Sequence, residues 1–243
     1  MSVRTVVERG PKGRKAAAFA VDWPGWSRGG KAPDAALEEL ETYRDRYRTI
    51  ASLAGLESEF DQAGELDIAE DRTGPGSTDF WGISFAPSSF ERDLMPPEEL
   101  ERKLALLQAA WRFFDQVAAR VSAEMRKGPR GGGRDRDQIV RHVLGNEAAG
   151  DFAKRIGVRT PVDATLTRAG LRAHREEYLA AFREHNAREW KVGRSWSLAF
   201  LLRHTAFHVL DHAWEMEDKD LSRPNADQNP DATESARGSA PPS

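Results

Sequence analysis

Pro97-Glu98-Glu99-Leu100-Glu101-Arg102-Lys103-Leu104-Ala105-Leu106-Leu107-Gln108-Ala109-Ala110-Trp111-Arg112-Phe113-Phe114 opens the stretch whose reading decides the fold. Through Met125, Leu100, Leu104, Leu107, Trp111, Phe114, Ala118, Val121 and Met125 recur at alternating spacings of four and three. That spacing places them along one stripe of a helix, the seam of a bundle. Pro97 in the first turn and Glu98-Glu99 beside the positive helix end make a sound start. Toward the C-terminus, the pattern predicts a second helix from about Asp135 to Ile156, ended by Gly157. A third covers about Thr167 to Ala187, and a fourth about Ser195 to Asp218. Four helices with short connections imply an antiparallel bundle. The glycine-rich segment from Gly128 to Gly133 reads as a connector. It has no preceding strand and no Gly-Lys-Ser/Thr, so it is not a phosphate-binding loop.

Toward the N-terminus the pattern changes. Thr5–Glu8 and Ala16–Asp22, separated by Gly10-Pro11-Lys12-Gly13, predict a β-hairpin. Trp23-Pro24-Gly25-Trp26 is a turn, because neither a helix nor a central strand accommodates it. Pro33-Asp34 opens a helix running to about Leu53, with Leu37, Leu40, Tyr43, Tyr47 and Ile50 on one side and Gly55 closing it. Glu57–Asp61, Glu65–Asp71 and Asp79–Phe85 are further strand candidates. The expected fold class is therefore α+β: a small N-terminal α/β module over 1–94, then an antiparallel four-helix bundle over 95–221. The tail, 222–243, is rich in Pro, Asn, Asp and Ser, has almost no apolar residue, and is predicted to be disordered.

Composition narrows the chemistry. The chain has 243 residues, 31% of them charged, with a formal net charge of −3, which argues against nucleic-acid binding driven by bulk positive charge. Cysteine is absent. Disulfides, thiolate metal sites and a cysteine nucleophile are thereby excluded, leaving His and carboxylates as the strong metal ligands. With neither a secretory leader pattern nor an apolar run of about 18 residues, the expected location is cytoplasmic.

Half of the six histidines fall within Arg203-His204-Thr205-Ala206-Phe207-His208-Val209-Leu210-Asp211-His212. His204, His208 and His212 are four apart, so their imidazoles project from one helical face. Two imidazoles at i, i+4 can hold one divalent ion at about 2.0–2.1 Å per nitrogen. The commoner role of such a pair is packing or surface, so a third ligand matters. His142, among Ile139, Val143 and Asn146 on the second helix, faces the bundle interior, where a pair on the fourth helix could meet it. Three histidines with an open fourth position suit a catalytic metal, whose bound water becomes a stronger acid. Asp211 and Glu215, each i+3 from a histidine, are candidates to accept the second imidazole N–H and fix the tautomer. Glu147 is i+5 from His142 and falls off that face. Tyr178 shares a side with His174 and Phe182 and reads as core with a satisfied hydroxyl.

Gly131-Gly132-Gly133-Arg134-Asp135-Arg136-Asp137-Gln138-Ile139-Val140-Arg141-His142-Val143, together with Trp196 through Asp218, resembles the DinB/YfiT-like family of four-helix-bundle metal-dependent enzymes. The resemblance covers roughly residues 97 to 220. Its metal triad, one His on the second bundle helix and an H-x3-H pair on the last, implies His142, His208 and His212, with His204 as the alternative ligand. Where the family usually continues Arg-Gly-Gln, this chain has Ala213-Trp214-Glu215. The resemblance implies a divalent metal (zinc, nickel, manganese or iron) and a thiol-dependent S-transferase or a hydrolase acting on a small molecule. A low-molecular-weight thiol such as mycothiol or bacillithiol is the implied co-substrate.

The N-terminal Ala18-Phe19-Ala20-Val21-Asp22-Trp23-Pro24-Gly25-Trp26-Ser27-Arg28-Gly29-Gly30, followed by Ala35-Ala36-Leu37-Glu38, is similar to the HicB-like antitoxin fold. It carries no DNA-binding attachment, so only a similar module is implied. The expected partners are a small-molecule substrate and a second copy in a homodimer, with neither nucleic acid nor membrane. The contrasting expectation is a non-catalytic binding or stress-response module with a structural or vestigial histidine cluster.

Overall fold

The computed structural model describes residues 2–129, 131–189, 192 and 196–222. The chain is a mixed α+β protein built on a four-stranded sheet of order β3-β2-β1-β4. Strands β1 (Val3–Arg9) and β2 (Ala16–Ala20) form the expected antiparallel hairpin, with Thr5 opposite Ala20 and Arg9 opposite Ala16. Strand β3 (Ser27–Gly30) adds antiparallel to β2, and β4 (Leu66–Thr73) adds parallel to β1. A parallel partner needs a long crossover. Here it contains α1 (Pro33–Thr42), α2 (Arg44–Leu53) and α3 (Glu57–Asp61). Every residue of the Ala-rich strand β2 is buried, and its short side chains let α1 pack close against it.

Several expected elements are corrected. The helix predicted over Pro33 to Leu53 breaks at Tyr43 (φ −91°, ψ 2°), whose ring lies 5.0 Å from Trp214 and beneath the Arg28 guanidinium at 3.6 Å. Glu57–Asp61 is helical, because its single apolar residue, Phe60, needs only one turn to reach Trp23 at 4.9 Å. The strand expected over Asp79–Phe85 is instead α4 (Gly76–Trp81), closed by Gly82 in the left-handed conformation. Asp79 accepts from the backbone N–H groups of Lys12 and Arg14, while Phe80 and Trp81 stay exposed, a division that strand alternation would not produce.

Beyond a 3-10 turn at Ser89–Glu91 comes α5 (Pro97–Arg120), which buries the predicted seam. It stops before Met125, because Asp220 accepts from Ser122 N at 2.9 Å and pulls the chain into a bridge pairing Met125 with Asp220. The predicted second helix is interrupted. It comprises α6 (Arg136–Leu144), a π-helical turn (Gly145–Ala149) and α7 (Asp151–Lys154) beyond the non-helical Gly150. Following α8 (Val162–Thr165), α9 (Arg168–Ala187) and α10 (Leu198–Asp218) match expectation, capped by Thr167 and Ser197. The expected disordered tail lies outside the described residues from 223 onward.

Helix α10 packs against α5, α6 and α9, and buries residues on nearly its whole circumference. The apolar core is contiguous from Val3 of β1 to Met216 of α10. The turn at Trp23–Trp26 joins the sheet to α10. Gly25 has φ 95°, and a Cβ there would lie 2.7 Å from Leu210 Cδ1, so both conformation and proximity require glycine. Trp26 donates to Leu40 O at 2.8 Å and Tyr47 donates to Pro24 O at 2.9 Å, so the aromatic cluster is hydrogen-bonded as well as packed. No helix among the described residues is long and apolar enough to cross a membrane.

Candidate metal centre

His142 stands in the last turn of α6, and His208 and His212 stand one turn apart on α10. One ring nitrogen from each lies within 4.8 Å of the others, and among the described residues these three are the group of potential ligands that converges. His142 Nε2 and His208 Nε2 are 3.3 Å apart. The His142 ring lies 5.2 Å from that of His208 and 4.8 Å from that of His212. All three side chains are partly buried.

The surroundings keep His142 and His208 neutral and hold His212 in place. Burial, reinforced by the neighbouring His212 and His142, pushes His208 down to about 2. Burial, His212 and the nearby Arg134 also lower His142. At neutral pH both therefore present lone pairs rather than protons. Glu215 accepts from His212 Nδ1 at 2.7 Å, leaving His212 Nε2 as the free ring nitrogen. That hydrogen bond, together with Lys219, holds the Glu215 carboxyl down at about 2, so it remains an acceptor. Asn146 places its amide 3.3 Å from His142 Nδ1 and donates to His142 O at 2.9 Å. It is i+4 from His142, so its position was legible in the sequence, though its contact with the ring was not. The π-helical turn begins at Gly145, beside the histidine it supports.

Two sequence expectations need correction. His204 is not part of the convergent group. It stacks on Phe200 at 5.3 Å among Trp196, Phe85 and Phe152, and burial lowers it to about 3. Phe152 explains the separation, for its ring lies edge-on to both His204 (5.4 Å) and His208 (5.5 Å). Asp211 does not orient His208. It pairs with Arg28 at 2.7 Å, and His208 Nδ1, though buried, has no hydrogen-bond partner. The i+3 spacing would let Asp211 reach His208, but Arg28 of β3 claims its carboxylate.

Glu147 has a role the sequence did not disclose. Buried on the π-helical turn, it accepts from Trp111 Nε1 at 2.8 Å and lies 3.5 Å from His174 Nε2, while His174 Nδ1 meets Thr160 Oγ1 at 2.9 Å. Tyr178 is core with a satisfied hydroxyl, 3.0 Å from Thr205 Oγ1. No family model matches the chain, and searches of curated proteins and of solved structures return no match.

Proposed function

We propose that His142, His208 and His212 hold a divalent ion, and that the chain is a metal-dependent transferase or hydrolase acting on a small molecule, as its resemblance to the DinB/YfiT-like family suggests. The supporting observation is the convergence of three imidazoles from two helices within 4.8 Å. Metal–nitrogen bonds of about 2.0–2.1 Å require separations no greater than about 4 Å, so binding would draw the most widely spaced nitrogens together by at least about 0.8 Å. The ligand set accepts zinc, nickel, manganese or iron, with cellular supply choosing among them. When bound, the ion would supply Lewis acidity and activate a thiol, such as mycothiol, or a water. The protein's part is to present lone pairs: burial keeps His208 neutral, Glu215 orients His212, and Asn146 steadies His142.

The same reading takes α5, α6, α9 and α10 as an antiparallel four-helix bundle over 95–221, supported by the packing of α10 on the other three. It takes the sheet and α1 as a HicB-like module over 1–94, in a cytoplasmic homodimer that binds neither nucleic acid nor membrane. Elemental analysis of tag-free protein is the test. One ion per chain is expected, lost in His208→Ala and His212→Ala and retained in His204→Ala. Metal-free wild-type protein that takes up no zinc, nickel, manganese or iron on titration would overturn the proposal in favour of a non-catalytic module.

A further inference from the structure

Helices α5 and α9 face one another across Trp111 and Tyr178, whose rings are 6.1 Å apart. On the Trp111 side of that contact lies an open trough of about 530 Å³, walled by Trp111, Leu171 and Leu179. None of the three converging histidines lines it. Its volume falls in the range of small-molecule sites, about 300–1,000 Å³, and such sites pair apolar walls with a few fixed polar groups.

The charges around the trough are unequally matched. Arg175 is neutralised by Asp115 through two hydrogen bonds at 2.6 and 3.0 Å. Arg172 lies 3.8 Å from Glu176. Arg112 and Arg168 also line the trough, and neither pairs with a carboxylate among the described residues. Arg112 donates to Leu53 O, a neutral carbonyl that leaves its charge uncompensated. Both guanidiniums are exposed, so they remain hydrated until a ligand arrives. Two unmatched positive charges beside an apolar wall are conspicuous on a chain whose formal net charge is −3.

We propose that this trough binds a small amphipathic organic anion. Its carboxylate, sulfonate or phosphate group would pair with Arg112 and Arg168, and its apolar body would lie along Leu171 and the small accessible edges of Trp111 and Leu179. Guanidinium forks suit planar oxyanions, and the apolar wall removes ligand surface from water.

The probe is 8-anilinonaphthalene-1-sulfonate, an apolar bicyclic anion, titrated by fluorescence against the full chain. Its uncharged counterpart, N-phenyl-1-naphthylamine, serves as control. Saturable one-to-one binding of the anion is expected. Arg112→Gln/Arg168→Gln should raise its Kd at least about tenfold, the effect of losing both charged contacts, while changing the neutral dye's Kd by less than about twofold. Leu171→Glu should weaken both dyes at least about tenfold, by placing a carboxylate on the apolar wall. Circular dichroism checks that the variants are folded, and the arginine changes, made at exposed residues, stand as the test should Leu171→Glu unfold. Unsaturable binding, or an anion Kd unmoved by the double arginine change, would overturn the proposal. So would a wild-type dimer, seen by light scattering, that Leu171→Glu converts to monomer, since the trough would then be an interface between copies.

Discussion

Replacing Glu91 with alanine should unfold this protein more readily than most single changes. Glu91 and Arg203 are 2% and 4% exposed, and their charged groups meet at 2.6 and 3.2 Å. The Arg203 guanidinium lies 3.7 Å from the Phe19 ring and also donates to Ser84 Oγ at 3.3 Å. Ser88 N and Oγ both donate to Glu91, at 2.8 and 2.9 Å. Glu91→Ala strands a buried cation and removes this cap, a loss of about 3–5 kcal/mol. At about 2–4 °C per kcal/mol for a chain of this size, Tm should fall by roughly 6–20 °C. Glu91→Leu/Arg203→Met should recover most of that fall, because no charge is left buried and unpaired. Thermal and urea unfolding followed by circular dichroism measure all of these variants. A fall of less than about 2 °C in Glu91→Ala, or a double variant that loses the sum of the two single losses, would refute the reasoning. Burial by itself would raise the Glu91 carboxyl, but Arg203 and Ser88 outweigh it and hold it below 4.5. Its contribution is therefore present above pH 4.5 and is lost as pH falls below that through the depressed folded value.

His204, held down to about 3 against an ordinary 6.5, stabilises the fold while neutral, so stability is complete above about pH 6.5 and declines as pH falls toward 3. His204→Phe, which keeps an aromatic ring on Phe200, should flatten the slope of unfolding free energy between pH 6 and 4 by about one proton, roughly 1.4 kcal/mol per pH unit; an unchanged slope would show that His204 is not the group responsible. Glu215→Gln should weaken zinc binding about 10- to 100-fold in competition with a chromophoric chelator, because the His212 ring loses its charged acceptor; equal affinity would assign Glu215 to Lys219 alone.

Much of the fold is legible in local pattern. The seam from Leu100 to Phe114 is buried as spaced, and the hairpin pairs Thr5–Arg9 with Ala16–Ala20. Those features repeat at the helical or strand period, so each segment carries its own evidence. The misread segments are short and carry one or two apolar residues, such as Phe60 in α3, or glycines whose conformation depends on neighbours, such as Gly150. For them tertiary packing outweighs propensity, as Asp79 shows by holding α4 against the turn after β1.

The sequence by itself placed His208 and His212 on one helical face and His142 on another helix, because i, i+4 spacing is a property of the helix alone. It could not decide between Asp211 and Glu215 as His-orienting acceptors, nor detach His204 from the ladder. Those outcomes depend on groups far away in the chain. Arg28, 183 residues before Asp211, claims that carboxylate, and Phe152 stands between His204 and His208. The pairing of Glu147 with Trp111 and His174 has the same origin, since a buried carboxylate takes its partners from whichever helices surround it. Local periodicity sets which way a side chain points. Only the packing of distant segments sets what it meets.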